Sequence, residues 1–192
     1  MERVDINLER QSVRFERAGM ALNFGAIGKG WALDRVAGGL RARGVHRALL
    51  SAGHSSVLAV GSGSGAWPID LRSPRRTRRL ARVELQLGSL ATSGAGEQFI
   101  EVDRRRYGHV LDPRTGRPAE SGLLSVSVLA ADAATSDALS TAFLVGGIDL
   151  ARQYCTTHPH VMAVVTRETG DRATTVIGEF PGARVIRNEA IP

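Results

Sequence analysis

Hydrophobic and polar positions alternate in two short runs at the start of the chain. Val4, Ile6 and Leu8 form the first run and Val13 and Phe15 the second, with Arg10-Gln11 between them. Period-two alternation on either side of a polar break predicts a β-hairpin with one buried face. The period then changes. After a glycine-rich turn from Asn23 to Gly30, Leu33, Val36, Ala37 and Leu40 recur at helical spacing, and Gly44 stands where a helix C-cap is expected. Short strands are predicted over residues 48–51, 57–60 and 69–71, and an alternating strand at Val83, Leu85 and Leu87.

Further along, residues 99–102 and 107–111 read as two arms of a hairpin with its tip at 103–106. Residues 123–130, Leu-Leu-Ser-Val-Ser-Val-Leu-Ala, carry the strongest strand signal. A helix is predicted over 133–145, with Ala134, Ala138, Leu139, Ala142 and Phe143 on its apolar face, and a second over 148–157. Strands over 161–166 and 174–177 complete the series. Strands come in runs rather than alternating with helices, so the class is α+β with mixed or antiparallel sheets and two main helical regions. At 192 residues the chain is long enough for one good core, and 1–192 is read as a single domain.

Composition narrows the function classes more than the fold. The chain has 43% hydrophobic and 23% charged residues, as expected of a soluble globular domain. Lys29 is the only lysine among 25 basic residues, and the formal net charge of +6 favours anionic ligands. The runs Arg75-Arg76-Thr77-Arg78-Arg79 and Arg104-Arg105-Arg106 lack the interleaved aromatics of single-strand binders and read as solvated surface, so no nucleic-acid partner is expected. Cys155 is the only cysteine, which rules out an internal disulfide. No segment is apolar for long enough to span a membrane and the N-terminus lacks a signal-peptide core, so the expected location is cytoplasmic.

Four segments can carry chemistry. The turn Asn23-Phe24-Gly25-Ala26-Ile27-Gly28-Lys29-Gly30 opens a helix, and its glycines and lysine suit either a phosphate cradle or a structural turn. Asp137 and Thr141 are four residues apart on one helical face, which fits either hard oxygen ligands for Mg²⁺ or a local dipole and backbone arrangement. In His109-Val110-Leu111-Asp112-Pro113-Arg114-Thr115-Gly116, His109 can move a proton near neutrality, and Asp112 can simply organise the bend. Ala91-Thr92-Ser93-Gly94 reads as a small polar turn.

These segments, with Ser51-Ala52-Gly53 between the first and the last-named, resemble in order the motifs of the FAD:protein FMN transferases, the ApbE-type flavin transferases. The resemblance covers about residues 1–170. It implies a T-shaped α+β fold that uses FAD as substrate and Mg²⁺ as cofactor, of which this chain matches the C-terminal portion. It further implies metal ligation by Asp137, Thr141 and the carbonyl of Ala26, FAD contacts at Asn23, Lys29 and Leu124, and a catalytic role for His109. The implied reaction moves FMN to a threonine or serine hydroxyl of an acceptor protein and releases AMP. Hydrolysis of FAD to FMN and AMP, or flavin binding without turnover, are the alternatives. Asn23 stands where many relatives have Asp, and His54 and Ser55 follow Ala52-Gly53 where an acidic residue is usual. A preceding segment, as in full-length relatives, would change the expected location to the periplasm or a membrane anchor.

Overall fold

The structure, a computed structural model, describes residues 4–61, 65–72, 79–94, 99–102, 105–167 and 174–187, with side chains omitted at 99–102, 105–107 and 187. In chain order the elements are β1 (Val4–Asn7), β2 (Ser12–Phe15), α1 (Gly28–Ala42), β3 (Ala48–Ala52), β4 (Ser56–Val60) and β5 (Trp67–Arg72). Next come β6 (Arg79–Leu85), β7 (Gly88–Gly94), β8 (Phe99–Val102), β9 (Arg105–Gly108), β10 (Leu111–Asp112) and β11 (Arg117–Pro118). β12 (Leu123–Ala130), α2 (Ala133–Thr157), β13 (Met162–Arg167), β14 (Thr175–Ile177) and β15 (Ala183–Arg187) complete the series.

A six-stranded antiparallel sheet, ordered β14-β13-β12-β7-β4-β3, divides the molecule. One face packs against α2 through Val126, Val128, Phe143, Leu144 and Val165, and against α1 through Leu33, Ala37, Leu58 and Val60. Its other face packs against the three-stranded sheet β15-β6-β5 through Leu90, Leu129, Val164, Leu71, Val83 and Leu85. β12 serves both layers because its side chains alternate: Val126 and Val128 face α2, and Leu129 faces the smaller sheet. Burial of each such Val, Leu or Phe contributes about 1.5–3 kcal/mol, so the central sheet is held from both sides.

Residues 123–130 form the strand expected, and Gly44 ends α1 as expected, at φ +79° with its N–H donating to the Arg41 carbonyl at 3.0 Å. The two expected helices over 133–145 and 148–157 are one element broken at Gly147, where φ is +84° and ψ 179°. The Ser121 hydroxyl donates to the Leu144 carbonyl just before that break. Cys155, in the second half of α2, is buried against β13 and Gly178.

Several expectations change. The first hairpin forms in the register Val4↔Phe15 and Ile6↔Val13, but its apolar face is not buried: Ile6 is 59% exposed and Phe15 37%. Ala91 to Gly94 is not a turn but the end of β7, a central strand, because small residues are what a closely packed helix permits there. The second arm of the later hairpin is Arg105–Gly108, pairing Val102 with Arg105, and its tip at 103–104 lies outside the described residues. Val36, Leu87 and Ala142 are exposed rather than on buried faces. Of the arginine runs, 75–78 and 104 also lie outside the described residues. β10, β11 and β15 had no clear alternation to announce them.

Candidate functional site

The glycine turn winds directly into α1. Its shape starts with Asn23, whose Oδ1 accepts from the Gly25 N–H at 2.8 Å, and continues with the Phe24 carbonyl accepting from Gly28 N–H at 2.7 Å. Ile27, at the N-cap, offers no side-chain cap, so the first N–H groups of α1 need partners from elsewhere. One comes from Asp137 on α2, whose Oδ2 accepts from the Gly30 N–H at 3.0 Å. The return contact is of the same kind. Asp34 on α1 accepts from the N–H groups of Ala133 and Ala134, each at 2.8 Å, at the start of α2. Each helix thus places a carboxylate at the positive end of the other.

Such an exchange needs the helices very close together. A Cβ at Gly30 would lie 2.0 Å from the Ala133 carbonyl oxygen, so a residue with no side chain is required there.

Asp137 is 3% exposed, and a carboxylate so buried must be compensated. Besides Gly30, Ser56 on β4 donates to its Oδ1 at 3.2 Å, and the Lys29 ammonium lies 3.5 Å from the same oxygen. Lys29 Nζ also donates to the Gly25 carbonyl at 3.5 Å, which draws the glycine turn toward the carboxylate. One helical turn on, Ser140 donates to the Asp137 carbonyl at 2.9 Å, and Thr141 Oγ1 lies 3.5 Å from that carbonyl. Ser93 on β7 joins both hydroxyls, at 2.8 Å from Ser140 and 3.0 Å from Thr141. The result is a small patch of oxygen donors with one cation beside it.

Asn23, Ala26, Lys29, Asp137 and Thr141 therefore belong to one junction or to the turn leading into it. The other two expected residues do not enter its hydrogen-bonded set. His109 is exposed on the segment between β9 and β10, and Leu124 is half-buried at the bulge between Leu123 and Ser125 in β12. Asp112 organises its bend: its carboxylate accepts from the Arg114 backbone N–H at 2.9 Å and from the Arg114 guanidinium at 2.7 Å. That guanidinium holds the Asp112 carboxyl below the usual carboxylate range.

Sequence reasoning missed Asp34, Ser56 and Ser140, and it misjudged the face of α2 they touch. Ser136, Asp137 and Ser140 are buried at helical spacing there, so the inward face is partly polar. Two serines at i and i+4 with a carboxylate at i+1, on a helix that packs on a sheet, were the available signal.

The oxygen patch can be tested as a cation site on its own chemistry. Among the described residues no three His, Cys, Asp or Glu side chains converge, so soft or multi-carboxylate coordination is not offered. One buried carboxylate, hydroxyls and a turn carbonyl are hard donors of the kind Mg²⁺ takes when phosphate oxygens and water supply the rest. The Lys29 ammonium, 3.5 Å from both Asp137 Oδ1 and the Gly25 carbonyl, balances the charge of the carboxylate here. The residues fit the ion.

Known proteins share both the sequence pattern and the fold of this chain. The sequence model of the ApbE family matches residues 1–165. A FAD:protein FMN transferase of Rhodobacter capsulatus is 37% identical over 144 residues, which cover 74% of this chain and 27% of that protein. One of Treponema pallidum is 35% identical over 150 residues, covering 72% of this chain and 41% of that protein. Among solved structures, the ApbE protein of Thermotoga maritima superposes with a TM-score of 0.76 at 30% identity, covering 93% of this chain and 57% of the other. Apo flavinyl transferase ApbE of Pseudomonas stutzeri gives 0.75 at 28%, covering 92% and 54%. The chain thus spans less than half the length of these two sequence relatives and little more than half of the two solved chains. Matched along most of its own length in both sequence and fold, the chain belongs to the ApbE family.

Proposed function

We propose that residues 1–192 carry the pyrophosphate-gripping, C-terminal part of an Mg²⁺-dependent FAD:protein FMN transferase. In this reading FMN moves from FAD to a threonine or serine hydroxyl of an acceptor protein, and AMP is released. The observation that carries it is the Lys29–Asp137 approach of 3.5 Å, which brings a lysine-bearing glycine turn to a buried carboxylate with Thr141 one helical turn away. The naming of the sequence relatives as FAD:protein FMN transferases supports the substrate.

Asp137, Thr141 and the Ala26 carbonyl would hold Mg²⁺, which when bound offsets negative charge gathering on the pyrophosphate oxygens. Lys29 adds a point charge beside the same oxygens, and the N-terminus of α1 adds its dipole. Asn23 and Leu124 contact FAD. The acceptor oxygen bonds to the FMN-side phosphorus, the bond from that phosphorus to the bridging oxygen breaks, and AMP leaves with the bridging oxygen. The hydroxyl proton passes to His109, whose exposed position suits an acceptor arriving from solvent.

The test incubates the chain with FAD, Mg²⁺ and a domain bearing an acceptor threonine. AMP is followed by chromatography and the acceptor by mass. Wild type should release AMP and add one FMN to the acceptor, and Asp137→Ala should do neither. AMP without acceptor labelling would make the chain a FAD hydrolase. Flavin binding without any AMP, in wild type and variant alike, would make it a binding protein.

A further inference from the structure

The two oxygens of Asp137 are used differently. Oδ2 is committed to the backbone, accepting from the Gly30 N–H at 3.0 Å where α1 and α2 approach most closely. Oδ1 meets Ser56, whose hydroxyl donates to it at 3.2 Å, and Lys29, whose ammonium lies 3.5 Å away. A carboxylate oxygen has two lone-pair sites, so these two groups fill Oδ1. Among the described residues Lys29 is the cation paired with Asp137.

That ammonium is held loosely for so buried a partner. It stands 3.5 Å from Asp137 Oδ1 and 3.5 Å from the Gly25 carbonyl, close to neither. Charge-assisted contacts between nitrogen and oxygen shorten to about 2.7–2.9 Å when well made. Arg82 reaches Asp70 at 2.8 Å and Arg114 reaches Asp112 at 2.7 Å, although those carboxylates are less buried. The Lys29 side chain is 40% exposed on a flexible stem, so its ammonium can swing toward solvent without moving α1. It bridges the same carboxylate and the same turn that are assigned above to Mg²⁺.

The two tasks of Lys29, pairing with Asp137 and adding charge beside a pyrophosphate, exclude each other. An ammonium at Oδ1 keeps a second cation from that oxygen, since two positive charges within about 4 Å repel strongly where water is scarce. While paired, it also offers little net charge to a dinucleotide. We infer that Lys29 is a placeholder for the cation. It balances Asp137 before Mg²⁺ is bound, leaves Oδ1 when Mg²⁺ takes that oxygen, and only then presents its charge to the pyrophosphate. The inference rests on the transferase reading and adds an order to it, because taking up the cation releases the group that grips FAD.

Mg²⁺ titrated into the full chain by calorimetry without nucleotide, together with thermal melting, tests this. Lys29→Met should bind Mg²⁺ about fivefold more tightly than wild type, the order of one partly exposed ion pair that no longer has to be broken. Lys29→Gln, which keeps a hydrogen-bond donor but no charge, should also gain affinity, and it carries the measurement if Lys29→Met does not fold without Mg²⁺. Without Mg²⁺ both variants should melt below wild type, because a buried carboxylate has lost its cation, and at saturating Mg²⁺ that gap should close. A merely structural lysine would lower the melting temperature at every Mg²⁺ concentration and tighten nothing. Binding abolished by Asp137→Asn but changed less than about twofold in both lysine variants overturns the exchange and leaves the metal site standing. A melting gap that persists at saturating Mg²⁺ does the same. Mg²⁺ binding absent from wild type and lysine variants, or kept in Asp137→Asn, overturns this inference and the metal site of the transferase reading together.

Discussion

The α1–α2 junction and the β1–β2 hairpin are both built from short polar and apolar segments, yet they are held in opposite ways. At the junction, partners 107 and 99 positions apart in sequence supply each other's hydrogen bonds, through Gly30 with Asp137 and Ala133 with Asp34. Nothing local would place those groups together. In the hairpin the pairing is entirely local, Ile6 with Val13 and Val4 with Phe15, and it produces an apolar face that the other described residues leave exposed. Secondary structure can therefore form correctly from nearby residues while its tertiary purpose stays unmet. A two-stranded hairpin by itself is only marginally stable, so the contrast is one of energetics as well as geometry.

Substitutions at three positions press on that contrast. Gly30→Ala should have the largest effect, because the added methyl would meet the Ala133 carbonyl at 2.0 Å and force the helices apart. A loss of about 3 kcal/mol in urea denaturation is expected, at the upper end of overpacking costs. Asp34→Ala should follow at about 2 kcal/mol, since it uncaps two N–H groups of α2 at once, and Asp34→Asn should recover part of that. Phe15→Ser should be smallest, within about 0.5 kcal/mol, as for other exposed sites. A loss above about 1.5 kcal/mol there would break the comparison, because the hairpin face would then be covered in solution.

What could be read from sequence follows the same division. β12, the Gly44 cap and the interruption of α2 were legible because each is written in a contiguous stretch: β-branched alternation, a left-handed glycine, a paired Gly146-Gly147. β7 was not. Its residues Ser89, Ala91 and Ser93 are small because α2 packs directly on them, and small polar residues carry the signature of turns when read locally. At the candidate site, spacing alone left a structural reading open for Lys29, Asp137 and Thr141, and the family resemblance singled them out; the fold brings all three to one junction. Asp34 and Ser56 were not legible, because their roles exist only once the two helices and β4 are brought together.

The buried position of Cys155 has a practical side. Burial pushes its thiol above the ordinary range, so little thiolate forms near neutrality, and the sulfur is sealed between α2 and β13. As the chain holds no other cysteine, an alkylating reagent reports on a single event, the parting of that helix from its sheet. The reaction rate then becomes a clock for that opening, readable by mass alone and with no label engineered into the protein.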